Sequence, residues 1–435
     1  MARVTRRRFL QYSGAGMAGI LAAHRAPVFA QANTVHILRW NDFVPAADKV
    51  LREVFAPEVQ KALGIKLNVE TVNANDIPAR ATSSIQSGNG PDIFMLLNNY
   101  PHLYSSAAVD VSAVADELAK GGQIYPSGVQ LNRVGGKWVS LPWSMVPALV
   151  VYRKSWFEEV GAKSFPKTWK EYHEVGKKLK AAKRPIGQTL GNTFGDAPTF
   201  TYPLLWSYGG QEVDAKGKVV LDSKETLESV QFMTQFWKDA HDEGGLAWDD
   251  SNNNRAFLSG DISATLNGAS IYVAALNGAD KFKTEKGAPM HTDCLHAPLP
   301  VGPKGHFGYH TAFNHMVMKY SKNAKGATEF LRWAHKKENY EKWFVVQKGF
   351  AVGPTKDWEK HAMWSQDPVM TPFRDAPQLQ TRLMGYASQP EKRAAEAWNK
   401  FIITGMYASA CGGKMKPEEA VKWAAGELGK IYTGT

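Results

Sequence analysis

Between residues 34 and 97 the chain changes period four times, and few folds accept the resulting order. Thr34-Val35-His36-Ile37-Leu38-Arg39-Trp40 alternates apolar and polar residues, as a half-buried strand does. Asn41-Asp42-Phe43-Val44-Pro45 is a turn, and 46–63 reads as a helix stopped by Gly64. Residues 65–72 alternate again. Residues 76–86 read as a second helix, with Asp76 the expected cap and Pro78 in its first turn. After a loop at 87–91, Asp92-Ile93-Phe94-Met95-Leu96-Leu97 is apolar throughout, which suits a strand covered on both faces. Strand, helix, strand, helix, strand predicts an α/β lobe with a mainly parallel sheet.

At 435 residues the chain is too long for one hydrophobic core, so two or more lobes are expected. Residues 148–152 form another buried strand pattern. Helical spacing recurs at 167–179, 226–240, 324–335, 339–346 and 417–431, and a further strand is expected near 314–318. Residues 192–202, rich in Thr, Gly, Asp and Pro, read as a loop. Pro298-Leu299-Pro300-Val301-Gly302-Pro303-Lys304-Gly305 reads as a connector between lobes.

The first thirty residues carry an export signal. Thr5-Arg6-Arg7-Arg8-Phe9-Leu10 precedes a glycine-rich apolar stretch and then Ala26-Pro27-Val28-Phe29-Ala30, with small residues where a signal peptidase reads. The twin arginine resembles the signal of the route that exports folded proteins, with cleavage expected near Ala30 and a periplasmic destination. Gly14-Ala15-Gly16-Met17-Ala18-Gly19 matches a dinucleotide fingerprint, but it follows no strand and falls within this signal. Of the formal charge of +11, five arginines lie in these thirty residues with no acid among them, leaving +6 spread along the rest. Basic clusters such as Lys177-Lys178-Leu179-Lys180 have the spacing of a solvated helix face, and no nucleic-acid partner is expected. The two cysteines, Cys294 and Cys411, include no Cys-x-x-Cys, so neither a thiol redox motif nor a zinc ribbon is indicated.

Five short motifs occur in a recognisable order. They are Gly90-Pro91-Asp92-Ile93, Phe165-Pro166-Lys167-Thr168-Trp169-Lys170-Glu171, Phe257-Leu258-Ser259-Gly260-Asp261-Ile262, Pro298-Leu299-Pro300 with Gly302-Pro303, and Ser321-Lys322-Asn323-Ala324-Lys325-Gly326. Together they resemble the extracellular solute-binding proteins of carbohydrate ABC importers, the group that includes maltose-binding protein. The resemblance implies an α/β, two-lobed periplasmic binding protein fold, each lobe a mainly parallel sheet flanked by helices. It implies a monomer that captures a sugar in the interlobe cleft and delivers it to the transmembrane permease subunits, with no cofactor and no metal. The expected division is 31–145 with 301–352 for the first lobe and 146–300 with 353–435 for the second, hinged near 145–148 and 298–303. Where maltose-binding protein has an Asp-Arg pair this chain has Asn99-Tyr100, and near Val146-Pro147 the expected glutamate is missing, so the sugar implied is not a maltodextrin.

Read as residues, Thr168 and Glu171 form a capping box with Trp169 packed behind it, and Asp92 binds backbone, so these motifs are structural. Ligand contacts are expected instead at the carboxyl ends of strands. A sugar needs flat apolar faces and fixed hydrogen-bonding groups. Trp40, Asn41 and Asp42 follow the first strand, Asn98, Asn99 and Tyr100 the third, and Trp143 precedes the lobe crossing. Trp248, Ser270 and Tyr272 lie beside glycine turns, and Tyr309 and His310 follow the connector. Trp40, Tyr100 and Trp143 are expected to form a stacking wall.

Three rivals remain. An enzyme is disfavoured because no Gly-x-Ser-x-Gly elbow occurs, and the pairs Asp249-Asp250 and Asp242-Glu243 are adjacent rather than opposed. A metal site would draw on His291, His296, His306, His310 and His315, but no helical His-x-x-x-His with a nearby Glu is formed, and prolines break the segment. Trp40-Asn41-Asp42-Phe43-Val44-Pro45 is also similar to polyamine-binding proteins of the same architecture, whose ligand needs several carboxylates and an aromatic cage.

Overall fold

The computed structural model describes residues 33–379 and 382–433. The export signal, with its twin arginine and the cleavage site near Ala30, lies outside the described residues.

The opening run forms as its periods dictate. Strand β1 is Thr34–Trp40, strand β2 Lys66–Val72 and strand β3 Ile93–Leu97. Between β1 and β2 the helical segments Pro45–Lys49, Val50–Phe55 and Ala56–Leu63 follow without a break. The middle one is a wide π-type turn just ahead of Pro57, whose ring and missing N–H disturb the preceding turn. Gly64 ends the run at φ 66°, a left-handed C-cap that glycine adopts without strain. The second helix, Ile77–Ser87, has Pro78 in its first turn, but Asp76 makes no capping bond. Asn73 caps instead, a turn earlier, accepting the Asn75 N–H at 2.9 Å.

Chain direction explains the sheets. β1 pairs in parallel with β2 and β3. The chain leaves this lobe along strand β4, Leu141–Val146, and enters the second along strand β5, Leu149–Arg153. Strand β6, Ala264–Asn267, and strand β7, Cys294–Ala297, flank β5. β7 carries the chain back toward the first lobe, so it must run against β5, and β6 does too. The mainly parallel sheet expected of the second lobe is therefore antiparallel. Strand β8, Thr311–Val317, re-enters the first lobe and inserts antiparallel between β3 and β4, giving the order β2-β1-β3-β8-β4.

One expected loop is a helix. Asp196–Tyr208, carrying Pro198 and Pro203, is almost wholly buried. Its N-terminal amides are capped from 54 residues away: the Asp250 carboxylate accepts the N–H groups of Gly195 at 3.1 Å and Asp196 at 2.8 Å. No local pattern can announce such a cap. The capping box at Thr168 and Glu171 forms as expected, and Asp92 accepts the His36 N–H at 2.7 Å.

The proline-rich connector stays with the second lobe. Val301 bonds the backbone of Lys167, and Lys304 bonds that of Ser207. The second crossing therefore falls later than residues 298–303. A third strand-like contact, Val352 against Met145, follows, and Thr355 still pairs with Ile124 of the first lobe while Trp358 packs on Tyr340 and Phe344. Both cysteines are free.

Candidate functional site

Parallel β1 and β3, and antiparallel β8 and β4, bring the ends of four strands to one edge of the first sheet. That edge faces the second lobe. Trp40 ends β1, Leu97 ends β3, Val146 ends β4, and Thr311 and Phe313 begin β8. Together with Phe43 and Phe350 these residues form one wall of an interlobe cavity. The wall is aromatic: the Trp40 ring lies 4.5 Å from Phe313, 5.3 Å from Phe43 and 6.1 Å from Phe350, nearly parallel to the last.

The second lobe supplies the polar wall. Asp196 and Asp250 face the cavity beside Asn267, Gly268 and Ser270. The buried Asn253 donates to Asp196 Oδ2 at 2.6 Å, and Asn267 donates to the same oxygen at 3.1 Å. Ser270 donates to Asn267 Oδ1 at 2.8 Å and accepts from Asn254 at 3.0 Å. Asp250 accepts the Thr193 hydroxyl at 2.5 Å as well as the two helix amides. Burial raises the pKa of both carboxyls, and burial, with Asp250 beside it as the second cause, holds that of Asp196 well above the carboxylate range. The space enclosed is about 40 Å³, room for roughly three waters. Depressions of about 540 Å³ and 550 Å³ occur around Glu117, Arg332 and His361 and around Asn89, Tyr320 and Lys322. The interlobe cavity is singled out because it joins strand ends of one lobe to a polar network of the other.

Of the twelve residues singled out in the sequence, the structure puts Trp40 and Ser270 on this cavity. Asp42 is one step behind, buried beside Gln347, which donates to it at 3.2 Å. Burial raises its pKa to about 6, opposed by the Val44 N–H and by Arg39. Asn41 is exposed. Asn98, at φ 49°, accepts the Ala312 N–H and so ties β3 to β8. Asn99 is fully buried behind it.

The wall expected of Trp40, Tyr100 and Trp143 does not assemble. Side chains alternate across a strand, so Trp143 points away from the cavity-lining Val146 and into the first lobe's core, 1% exposed. There its ring lies 5.0 Å from Trp343 and 5.7 Å from the buried Arg39 guanidinium. Tyr100 is fully buried, its hydroxyl donating to Asn399 at 3.2 Å and its ring edge-on to Phe194. Trp248 packs against Gly187 and Gly244 within the second lobe. Tyr272 donates to Asp367 at 2.6 Å, away from the cavity. Tyr309 packs between Trp206 and Trp398. His310 sits in the crossing itself: its Nδ1 accepts the Ala148 N–H at 3.1 Å, and its Nε2 donates to Ala376 O at 2.8 Å. Among the described residues no group of three or more His, Cys, Asp or Glu side chains could hold a metal.

Sequence reasoning missed Phe43, Phe313, Phe350, Asp196, Asp250 and Asn267. Asn267 ends strand β6 and Gly268 follows it, the position from which ligand contacts were expected elsewhere, and the pair carried a usable signal. Asp196 carried none, because its helix was not legible.

Two lobes, the chain segments that cross between them and a cavity built from strand ends define a two-lobed binding-protein fold. Residues 42–341 match the bacterial extracellular solute-binding proteins, and the chain belongs to that family. A probable ABC transporter-binding protein of Deinococcus radiodurans is 24% identical over 254 residues, 56% of this chain and 57% of that protein, so this chain spans little more than half of that relative's length. An erythritol/L-threitol-binding protein of Mycolicibacterium smegmatis is 21% identical over 354 residues, 75% of this chain and 71% of that one. Maltose-bound T. maritima MalE3 superimposes with a TM-score of 0.76 at 21% identity, covering 91% of this chain and 98% of its own. A solute-binding protein of Agrobacterium radiobacter K84 in complex with ribitol gives 0.74 at 18%, covering 92% and 98%.

Proposed function

We propose that this chain is the capture component of an ABC importer and closes its lobes over one small polyhydroxylated solute, a sugar or sugar alcohol. The observation that carries the reading is the pairing of an aromatic wall around Trp40 and Phe313 with an opposed amide, hydroxyl and carboxylate network at Asp196, Asn267 and Ser270. Rings cover the C–H faces of such a solute, and the polar network takes its hydroxyls. A cavity of about 40 Å³ does not admit even a tetritol as it stands, so the solute enters when the lobes separate and is held with the lobes further apart than they are here. The ligands of the relatives named above run from a tetritol and ribitol to maltose, so the choice between a short polyol and a disaccharide falls to measurement.

The reading includes export by the twin-arginine route with cleavage near Ala30, a monomeric mature protein that hands its solute to permease subunits without a nucleic-acid partner, and no chemical turnover. Replacing Arg6 and Arg7 by Lys strands the precursor in the cytoplasm on this view; normal periplasmic yield from that variant counts against it. Calorimetry with tetritols, pentitols, hexoses and disaccharides tests the ligand, because a solute bound only by the folded state raises the melting temperature in parallel. Binding of disaccharides alone rejects the small-polyol reading, and a silent panel rejects sugar capture.

A further inference from the structure

We propose that the solute carries a protonated amine as well as hydroxyls, so that the cleft selects amino sugars or amino alcohols over their neutral counterparts. This rests on the capture reading above and sharpens it.

Charge is the first observation. Two carboxylates, Asp196 and Asp250, face the cavity, and no Lys or Arg lines it among the described residues. The opposite wall is Trp40, Phe43, Phe313 and Phe350, whose π faces attract cations and offer a carboxylate nothing. An ammonium between the two walls is attracted by both. A neutral hydroxyl donates one hydrogen bond and leaves the charge of the site uncompensated, and buried charge is tolerated when it is paired.

The second observation is the inequality of the two acids. Asp250 is already engaged by three donors, the Thr193 hydroxyl and the amides of Gly195 and Asp196, at the start of a thirteen-residue helix. Its role is to cap that helix and to add negative charge behind the cavity. Asp196 is different. Both of its side-chain donors, from Asn253 and Asn267, converge on Oδ2, and Oδ1 has no hydrogen-bond partner among the described residues. The residue is 8% exposed and lines the cavity. It is a buried acid with one oxygen held for a ligand.

Asn267 and Ser270, linked to the same carboxylate, supply the hydroxyl partners, so the ammonium and a neighbouring hydroxyl are read by one network. Burial first, and the adjacent Asp250 second, raise the Asp196 pKa above the ordinary carboxylate range, and an ammonium beside Oδ1 acts against both.

Matched pairs test this on the mature wild-type protein: D-glucosamine against D-glucose and against N-acetyl-D-glucosamine, and serinol against glycerol. At least tenfold tighter binding of the charged member of a pair is expected. In Asp196→Asn, checked for folding by circular dichroism, the ratio of charged-member to neutral-member affinity is expected to fall to about one, whatever the loss in affinity common to both. Equal or tighter binding of the neutral members, or an advantage that persists in Asp196→Asn, overturns the proposal and leaves capture of neutral polyols standing. If neither kind of solute binds, both readings fall.

Discussion

His310 Nδ1 accepts the backbone N–H of Ala148 at 3.1 Å, so the side chain of one chain crossing is bonded to the backbone of another. The accepting Nδ1 fixes the neutral tautomer, and Nε2 donates to Ala376 O. Burial pushes the pKa of this imidazole down to about 4. His310→Ala leaves a buried N–H and a buried carbonyl without their partner, at a cost on the order of 1–3 kcal/mol in urea denaturation at pH 7. The pH dependence has a defined sign. The folded pKa lies below the unfolded value of about 6.5, so the unfolded chain binds the extra proton, and this contribution is present above pH 6.5 and lost as pH falls toward 4. The stability gap between parent and variant should therefore narrow from pH 7 to pH 4. A gap constant over that window assigns the loss to packing alone.

Trp40 and Trp143 should separate cleanly on substitution. Trp40→Ala removes an aromatic face from the cavity, and its dissociation constant for whichever solute binds is expected to rise roughly 30- to 1,000-fold, or ~2–4 kcal/mol. Trp143→Ala instead empties a core position beside Arg39, Tyr340 and Trp343 and should lose ~3–5 kcal/mol of stability. Calorimetry and denaturation on both variants decide the matter. Weak binding with full stability in Trp143→Ala would contradict the placement.

What the sequence made legible follows from how local each cause is. The strands at 34–40 and 93–97 and the helix behind Thr168 are written in their own residues, by period and cap. The helix beginning at Asp196 is not, because its cap is the carboxylate of Asp250, and its prolines argue locally for a loop. Trp143 was misplaced by strand parity: on β4 it faces the core while Val146 faces the cleft. The strand-end rule found Trp40 on the first lobe. On the second lobe the same rule applies to Asn267-Gly268, but short apolar pieces broken by glycine hid the strand that ends there.

Gly268 is expected to control closure. A Cβ at this position would stand 2.8 Å from Val146 Cγ1 and 2.9 Å from Phe350 Cε2. Both neighbours are held, one on β4 and one against Trp40, so the clash falls on the closed arrangement. Gly268→Val should weaken solute binding by about 10- to 100-fold, the 1–3 kcal/mol typical of overpacking, while ligand-free stability changes little. Small-angle scattering at saturating solute should also show a smaller contraction than in the parent. Parental affinity together with parental contraction would mean that the lobes do not meet here.

Glu212 gives a second, opposite pH signature far from the cavity. Its side chain is fully buried, accepting the Gly385 N–H and, at 3.4 Å, the Tyr202 hydroxyl. Burial raises its pKa from the ordinary 4.5 to about 8. Because the folded value lies above the unfolded one, the proton favours the folded state. The contribution is whole below pH 4.5 and is lost as pH rises through 8. Glu212→Gln keeps the shape and cannot ionise. The two proteins should be within about 1 kcal/mol of each other near pH 4.5, and the variant should gain on the parent as pH rises, reaching on the order of 3–5 kcal/mol by pH 9. Urea denaturation at half-unit steps from pH 4.5 to 9 follows the difference. Parallel stability curves would show that Glu212 is ionised in the fold already at low pH, held there by the Gly385 amide against the cost of its burial.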